Sequence, residues 1–470
     1  MPARQAPALA LGLALLWSAL PAFASDPPAA PDPAAALRSG PVLGPAEMTR
    51  ATVWLQTWRP ERAQIRYWPQ GRPEAARLSE EIRTAAAGDH IARFTLDGLA
   101  MGGRYEYEVY LGGTRVARPY PLTFQTQPGA AWLYDGGKTP APTFRFAVGS
   151  CAYVNDPPFD RPGEAYGGDY GIFESIAAQK PDFMLWLGDN VYYREADWQN
   201  EAAMRYRYAH TRSLPEMQAL FGATHSYAIW DDHDYGPNDS DLTYPLKEAS
   251  LRIFQDYWMN PSYGTAAVPG VFTRFDWADV DFFLLDDRYH RSPNKSPAGP
   301  DRRMFGRAQM DWLKASLANS RATFKIVVGG NQILNPVVLY EGMGAFPAEQ
   351  KELLDYLKQA RISGVLFVTG DRHLTELIRR TDFPGLYPLY DFTSSPLTSG
   401  AVSTQNAQRE ADNPARVTGT WVTGTRNFGM IEVSGPREDR VLTLRTLDAQ
   451  GKELWKREIR ASELAFPKKK

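Results

Sequence analysis

Clusters of carboxylate, imidazole and thiol side chains recur along this 470-residue sequence, each directly after a short apolar run. The clusters read Gly149-Ser150-Cys151, Gly188-Asp189-Asn190, Asp231-Asp232-His233-Asp234, Asp286-Asp287-Arg288, Gly329-Gly330-Asn331-Gln332 and Gly370-Asp371-Arg372-His373. Several carboxylates gathered in one cleft would repel one another and lose their hydration unless cations neutralised them. The residue types therefore predict a metal centre.

The clusters contain two kinds of metal ligand. Thiolate and imidazole select a transition metal, whereas carboxylate and amide oxygens suit calcium, magnesium or manganese. We expect a soft site near Cys151 and His373 and a hard site near Asp232 and Asn331, with Asp189 between the two. Two cations about 4 Å apart hold a phosphoryl oxygen and lower the pKa of bound water, which is the chemistry of phosphate ester hydrolysis.

Such a centre needs a fold that brings remote residues together. From Phe144 onward, short apolar runs alternate with amphipathic segments of helical length, which predicts an α/β layered core. The predicted strands cover residues 144–148, 183–187, 226–230, 281–285, 325–328 and 365–368. Ligands of these folds bind beyond the carboxyl ends of the strands, so we expect the clusters to converge there.

A different pattern covers residues 40–130, where apolar and polar positions alternate as they do in half-buried strands. Tyr105, Tyr107 and Val109 share one face of a run that ends at the turn Gly112-Gly113. The spacing predicts a small antiparallel sandwich, and the stretch resembles a fibronectin type III domain. It contains no cluster of His, Asp and Cys, so we predict a packing or substrate-shielding role for it.

The N-terminus has the features of a secretory signal. Arg4 precedes an apolar run over residues 8–20, and Ala22-Phe23-Ala24 forms a small-x-small cleavage site. We predict a signal peptide at residues 1–24, a disordered linker at 25–39, and a periplasmic or secreted mature chain without a transmembrane segment. Lys and Arg total 52 against 54 for Asp and Glu, and this balance gives no basis for stable nucleic-acid binding.

Cys151 is the single cysteine, so no disulfide can form within the chain. Structural cysteines of exported proteins normally occur in pairs. Cys151 is therefore an inert buried thiol, an intermolecular link, a nucleophile or a metal ligand. Its position at a strand end, together with the clusters around Asp189 and His373, favours the metal ligand.

The same motifs resemble those of the alkaline phosphatase D (PhoD-like) family of metallophosphoesterases, over nearly all of the mature chain. The resemblance rests on Gly149-Ser150-Cys151, Gly188-Asp189-x-x-Tyr192, Trp230-Asp231-Asp232-His233-Asp234, Leu285-Asp286-Asp287-Arg288, Gly330-Asn331-Gln332 and Gly370-Asp371-Arg372-His373. It implies a four-layer αββα catalytic domain at residues 140–466, after the fibronectin-like domain. It also implies iron(III) and calcium as cofactors, with magnesium, manganese or zinc as alternatives for the second metal.

The resemblance also implies the ligands of each metal. Iron would be bound by Cys151, Asp189, Tyr192 and His373, and the second metal by Asp189, Asp232, Asn331 and Asp371. Adjacent residues leave three alternatives open, namely Asp231 for Asp232, Gln332 for Asn331 and Tyr193 for Tyr192.

These assignments predict an exported hydrolase of phosphate mono- or diesters, in which metal-bound hydroxide attacks phosphorus in line. His233 is the expected general acid for the leaving group. Arg288 is the expected phosphate clamp because a guanidinium grips two oxygens at once, and Arg372 is the alternative clamp.

The substrate would be an ester of a small molecule, a nucleotide or a lipid headgroup. The competing hypotheses are a phospholipase-type phosphodiesterase, an enzyme with a cysteine nucleophile, and a non-catalytic binding protein whose metals only stabilise the fold. The sequence leaves the oligomeric state open.

Overall fold

The computed structural model describes residues 33–136 and 138–467. The predicted signal peptide and residues 25–32 of the predicted linker lie outside the described residues. Among the described residues, no helix combines the length and the apolar character needed to cross a lipid bilayer.

An antiparallel β-region opens the described chain. After the single-turn helix α1 (Pro33–Ala36), its strands are β1 (Leu37–Ala46), β2 (Ala51–Thr57), β3 (Arg62–Pro69), β4 (Arg77–Leu78), β5 (Ile82–Arg83), β6 (Ile91–Leu96), β7 (Arg104–Leu111), β8 (Thr114–Arg115) and β9 (Thr123–Gln125). One sheet has the order β1-β2-β6, and the second is built around the antiparallel pair β3-β7. Tyr105, Tyr107 and Val109 of β7 are buried, as their alternation predicts. The fibronectin type III assignment stays a prediction.

The structure differs from the predicted linker at residues 37–39. Strand β1 begins at Leu37, which pairs with Thr57 and packs into the core of the β-region. Ser39 is also buried, and its Oγ donates a hydrogen bond to the carbonyl of Arg212 at 2.7 Å. An apolar residue and a paired hydroxyl thus hold this short segment in the fold despite its Pro- and Ala-rich surroundings.

Strand β2 joins the β-region to the rest of the fold because it is buried on both faces. Val53 and Leu55 pack into the core of the β-region. On the other face, Trp54 Nε1 donates to the carbonyl of Asp256 at 3.0 Å, and Gln56 Nε2 donates to Tyr257 Oη at 3.1 Å. The β-region is therefore a packed part of one structure.

The remaining chain alternates strands and helices. The strands are β10 (Phe144–Gly149), β11 (Phe183–Leu187), β12 (His225–Ile229), β13 (Thr273–Trp277), β14 (Val280–Leu284), β15 (Phe324–Val328), β16 (Val365–Thr369), β17 (Glu376–Arg380), β18 (Leu389–Thr393), β19 (Asn427–Ser434), β20 (Val441–Asp448) and β21 (Glu453–Arg460). The helices are α2 (Ile172–Ala178), α3 (Glu201–Arg212), α4 (Gln218–Ala223), α5 (Asp232–Tyr235), α6 (Lys247–Tyr257), α7 (Arg307–Asn319) and α8 (Pro347–Gln359). The six predicted strands all occur, within one residue of their predicted bounds.

Two sheets organise this region, with the strand orders β12-β11-β10-β19-β20-β21 and β13-β14-β15-β16-β18-β17. They pack face to face through aromatic rings, since Phe282 of β14 lies with its ring centroid 5.3 Å from both Phe146 and Phe183 of the first sheet. Trp186 lies on the opposite face of β11 and contacts Phe173 of α2 and a ring of α4. The mixed α/β class is confirmed.

Strand direction decides where the site forms. Strands β10, β11 and β12 are parallel neighbours, and so are β14, β15, β16 and β18. Their carboxyl ends carry the polar clusters found in the sequence.

Candidate metal centre

A soft donor set forms where β10, β11 and β16 end. Ligand atoms of Cys151, Asp189 and His373 lie within 4.8 Å of one another. The Tyr192 hydroxyl donates to Asp189 Oδ2 at 3.1 Å and lies 3.2 Å from His373 Nε2. The neighbouring Tyr193 hydroxyl is buried and has no partner within the described chain. The structure therefore places Tyr192, rather than Tyr193, with the predicted ligands.

Carboxylates form a second set beside the first. Ligand atoms of Asp189, Asp232 and His233 lie within 4.8 Å of one another, and so do those of Asp189, Asp231 and Asp371. Asp189 belongs to each of these three groups and so lies between the two donor sets. The Asp371 carboxylate makes no hydrogen bond or ion pair with any described residue, so its oxygens are free for a cation.

The backbone at these strand ends is held in an unusual conformation. Cys151, Asp189, Asp371 and His373 have φ of 65°, 52°, 67° and 51°, in the left-handed region. Such residues each cost about 1–3 kcal/mol and persist only where the surroundings fix them. Gly188, with φ of 93°, precedes Asp189, and a Cβ there would lie 2.8 Å from the backbone nitrogen of Asp231.

The Asp234 carboxylate fixes two of these turns at once. It accepts the backbone N–H groups of Asp189 at 3.2 Å, Asn190 at 3.1 Å and Asp231 at 2.6 Å. The turn after β11 is thereby tied to the turn after β12. Asp234 therefore positions the predicted ligands without belonging to the metal-ligating groups.

Burial and like charges oppose the ionisation of Asp189, Asp371 and Cys151. Burial raises the pKa of Asp189 well above its usual range, and the nearby Asp232 carboxylate adds to that effect. Burial raises the pKa of Asp371 to about 7 and that of the Cys151 thiol to about 11. A bound cation reverses this balance because it stabilises the anionic forms. The sulfur, nitrogen and oxygen donors on one side and the carboxylates on the other fit two metal ions.

Burial excludes two of the four alternatives for Cys151, the intermolecular link and the nucleophile, and leaves the inert thiol and the metal ligand. Its side chain is fully buried, which is incompatible with a link to another chain and leaves an attacking thiolate no access to solvent. Ser395 Oγ donates to the sulfur at 3.2 Å. The position agrees with a metal ligand.

Two predicted oxygen ligands are engaged elsewhere. The Asn331 side chain donates to Asp231 Oδ2 at 2.9 Å, and its oxygen accepts from Arg291 at 3.3 Å. The alternative, Gln332, donates to Glu376 and Thr393, both at 2.8 Å. Asn331 thus contacts the centre through Asp231, whereas Gln332 belongs to a separate buried network.

The structure corrects the assignment of Arg288 as phosphate clamp. Arg288 is fully buried, and its guanidinium donates to Asp231 Oδ1 at 2.5 Å and Glu341 Oε2 at 2.7 Å. Both carboxylates engage the guanidinium, so it is a structural counter-charge. Arg372 lines the cavity above the carboxylates, pairs with Glu410 through Nη2 at 2.6 Å and stacks on the Tyr340 ring at 4.3 Å, while its Nε and Nη1 make no hydrogen bond within the described chain.

His233 stands at the edge of the centre. Its backbone N–H donates to Asp189 Oδ1 at 3.1 Å, and its ring stacks on Tyr192 with centroids 4.3 Å apart. Its ring nitrogens make no hydrogen bond within the described part of the chain. Burial lowers the pKa of His233, and the Asp232 carboxylate opposes that shift. An unengaged imidazole beside the carboxylates can exchange a proton with a bound molecule.

Two cavities meet at His233. One, of about 630 Å³, is lined by Asp189, Asp232, Asp371 and other residues of the centre. The second, of about 930 Å³, lies alongside it. Tyr166, His233 and Asn238 line both cavities.

Sequence reasoning missed three side chains that contact the predicted ligand His373, namely those of Tyr166, Ser395 and Ser399. His373 Nδ1 lies 2.8 Å from the carbonyl of Gly400 and 3.1 Å from Tyr166 Oη, so donation to Gly400 leaves Nε2 as the free ligand atom. Ser395 accepts the His373 N–H at 3.0 Å, and Ser399 Oγ lies 3.3 Å from Nε2. Ser395 could have been found from the sequence, because Ser394-Ser395-Pro396 directly follow the apolar run of β18, as the other polar clusters follow their strands.

Two family models match parts of this chain. A family model described as PhoD-like phosphatase matches residues 146–439, and one described as a domain of unknown function (DUF7800) matches residues 34–128. Alkaline phosphatase D of Bacillus subtilis (strain 168) is 23% identical over 288 residues, which are 51% of this chain and 47% of that protein. The chain therefore spans about half the length of this curated relative.

Solved structures share the fold. A structure of PhoD has a TM-score of 0.70 at 16% identity, covering 94% of this chain and 93% of its own. The purple acid phosphatase PPD1 from yellow lupin (Lupinus luteus) seeds has a TM-score of 0.59 at 10% identity, covering 89% and 73%.

Proposed function

The chain belongs to the PhoD-like phosphatase family, and from this premise we propose that it is an exported, metal-dependent hydrolase of phosphate mono- or diesters. One observation carries the proposal. Cys151, Asp189, Tyr192 and His373 form a soft donor set that shares Asp189 with a group of carboxylates. This pairing of donor types is suited to two different cations beside a substrate cavity.

We assign iron(III) to Cys151, Asp189, Tyr192 and His373, and calcium to the carboxylate side. Asp189, Asp232 and Asp371 would hold the second ion, with Asn331 acting through Asp231. When bound, the two cations supply positive charge that stabilises the phosphoryl oxygens and acidifies water. Elemental analysis of the purified protein tests this assignment, and Cys151→Ser should lower the iron content selectively.

The protein's own residues then have three tasks. Arg372, which lines the cavity and has two nitrogens that make no hydrogen bond within the described chain, would hold phosphoryl oxygens. His233 would give its proton to the leaving-group oxygen. Asp234 would keep the turns that carry Asp189 and Asp231 in register.

Replacement of His233 tests the function. We expect His233→Ala to lower kcat by about 10²–10⁴-fold for an alkyl phosphate ester, and less for a 4-nitrophenyl ester, whose leaving group needs no proton. Metal content and the unfolding midpoint should stay unchanged. His290→Ala is the matched control, since His290 lies outside the centre and contacts the carbonyl of Pro269. Unchanged turnover in His233→Ala would contradict the assigned mechanism. A metal-loaded parent protein without any turnover would indicate that the metals only stabilise the fold.

Export is also part of the proposal. It rests on the secretory features of residues 1–24. Mass spectrometry of the protein from its native compartment should give a mature chain that begins near Ser25. A full-length chain that remains with the cytoplasm would contradict export while leaving the proposed hydrolysis intact.

A further inference from the structure

The cavity of about 930 Å³ has no task in the proposed hydrolysis. Tyr153, Tyr166, Tyr192 and Trp198 line it, and we call it the aromatic cavity. Its volume lies within the range of about 300–1,000 Å³ that is typical of small-molecule sites. The rings of Tyr153, Tyr166 and Tyr192 form a continuous wall, with Tyr153 centred 4.9 Å from Tyr166 and 5.1 Å from Tyr192.

His233 sets the direction in which a substrate would extend. Its ring lines both the cavity of the metal centre and the aromatic cavity, and it stacks on Tyr192. A general acid must lie within hydrogen-bond reach of the leaving-group oxygen. With the phosphoryl group beside Asp189 and Asp232, that oxygen lies at the boundary, and the carbon skeleton attached to it enters the aromatic cavity.

Two guanidiniums line the aromatic cavity, and they are held in different ways. Arg194 donates to Asp160 at 2.9 Å and to the carbonyl of Val154 at 2.8 Å. Arg161 donates twice to Glu195, at 3.0 and 2.7 Å. Arg194 is thus held within the fold, whereas Arg161 pairs with Glu195 at the surface, where its side chain is 82% exposed.

We propose that the aromatic cavity is the leaving-group subsite, and that it selects esters whose leaving alcohol carries an aromatic or bulky apolar group. Trp198 is the specificity-determining residue because it is a partly exposed aromatic residue that lines the cavity and lies outside the metal-ligating groups. The inference rests on the proposed function, since the position of His233 as acid fixes the direction of the leaving group.

Binding of stable analogues to the metal-loaded protein tests the subsite. Inorganic phosphate, methylphosphonate and benzylphosphonate differ only in the arm beyond the phosphorus, and ester hydrolysis does not cleave their P–C bonds. We expect calorimetry to give about tenfold tighter binding for benzylphosphonate than for methylphosphonate, from burial and stacking of the ring. Equal affinities would overturn the inference.

Variants of Trp198 test whether this residue causes the preference for the benzyl arm. Trp198→Ala should abolish the preference for the benzyl arm and leave phosphate affinity within about twofold, whereas Trp198→Phe should retain most of the preference. Trp58→Ala, which removes an indole exposed in the β-region, is the matched control and should bind all three probes as the parent does. A benzyl preference that survives in Trp198→Ala would also overturn the inference.

Turnover of bis(4-nitrophenyl) phosphate distinguishes a failure of the subsite inference from a failure of the proposed function. A parent enzyme that hydrolyses this diester without any benzyl preference contradicts the subsite and leaves the proposed function standing. A metal-loaded protein that neither hydrolyses it nor binds phosphate contradicts the proposed function, and the subsite with it.

Discussion

Replacing Arg288 with methionine distinguishes a buried counter-charge from a phosphate clamp. The substitution keeps the length of the side chain and removes its charge. Arg288 is fully buried and donates to Asp231 at 2.5 Å and to Glu341 at 2.7 Å. In Arg288→Met, the buried Asp231 carboxylate loses its only ion-pair partner among the described residues.

The expected decrease in the free energy of unfolding depends on which carboxylate is left unpaired. Removing one partner of a buried ion pair costs about 3–5 kcal/mol. Glu341 retains Arg291, which donates to it at 2.7 Å, so the loss is concentrated at Asp231. We therefore expect a decrease of about 3 kcal/mol in the free energy of unfolding, at the lower end of that range.

Urea unfolding of the metal-loaded protein, followed by tryptophan fluorescence, measures this change. Arg307→Met is the matched control, because Arg307 pairs with Asp301 at 3.3 Å and the two side chains are 64% and 93% exposed. An exposed pair of this kind contributes at most about 1 kcal/mol. If Arg288→Met kept the parental unfolding curve and raised KM for the ester instead, the structural assignment of Arg288 would be refuted.

Three further outcomes are expected. Phe282→Ala should lower the free energy of unfolding by about 3–5 kcal/mol in urea titrations, because the ring fills the interface between the two sheets. Gly188→Ala should lower metal content by elemental analysis, because its Cβ would lie 2.8 Å from the Asp231 nitrogen and displace a ligand-bearing turn. Burial lowers the pKa of Lys325 to about 8. Between that value and about 10.4, the pKa of a free lysine, the unfolded chain binds more protons and native stability rises with pH. Lys325→Met should therefore raise the melting temperature at pH 7, and its advantage should shrink as the pH rises above 8.

The sequence predicts the strands and the convergence of their ends because both depend on local patterns. An apolar run followed by Gly and a carboxylate specifies a buried strand and its exit, and six such runs occur within one residue of the predicted bounds. The soft donor set follows from the same rule, since Cys151, Asp189 and His373 each lie just beyond a parallel strand.

Partners on other segments are harder to predict. Arg288 lies directly after two carboxylates, yet its shortest contact is with Asp231, which is 57 residues away. Tyr166 reaches His373 from a loop that has no periodic pattern, and the two residues are 207 positions apart. The role of such residues depends on which surfaces pack together, and that packing is not encoded near the residue itself.

The metal centre lowers the stability of the fold, and the surrounding architecture indicates how this loss is offset. Left-handed backbone at Cys151, Asp189, Asp371 and His373 and like charges in a buried cleft all oppose folding. The aromatic interface between the two sheets anchors the strands that lead to these ends, since Phe146 and Phe183 belong to the same strands that carry Cys151 and Asp189. Rigid strands hold the ends in place, and the Asp234 carboxylate ties two of the turns together. Preorganised ligands lose little conformational freedom when cations bind, so the strain at the strand ends is compatible with tight metal binding.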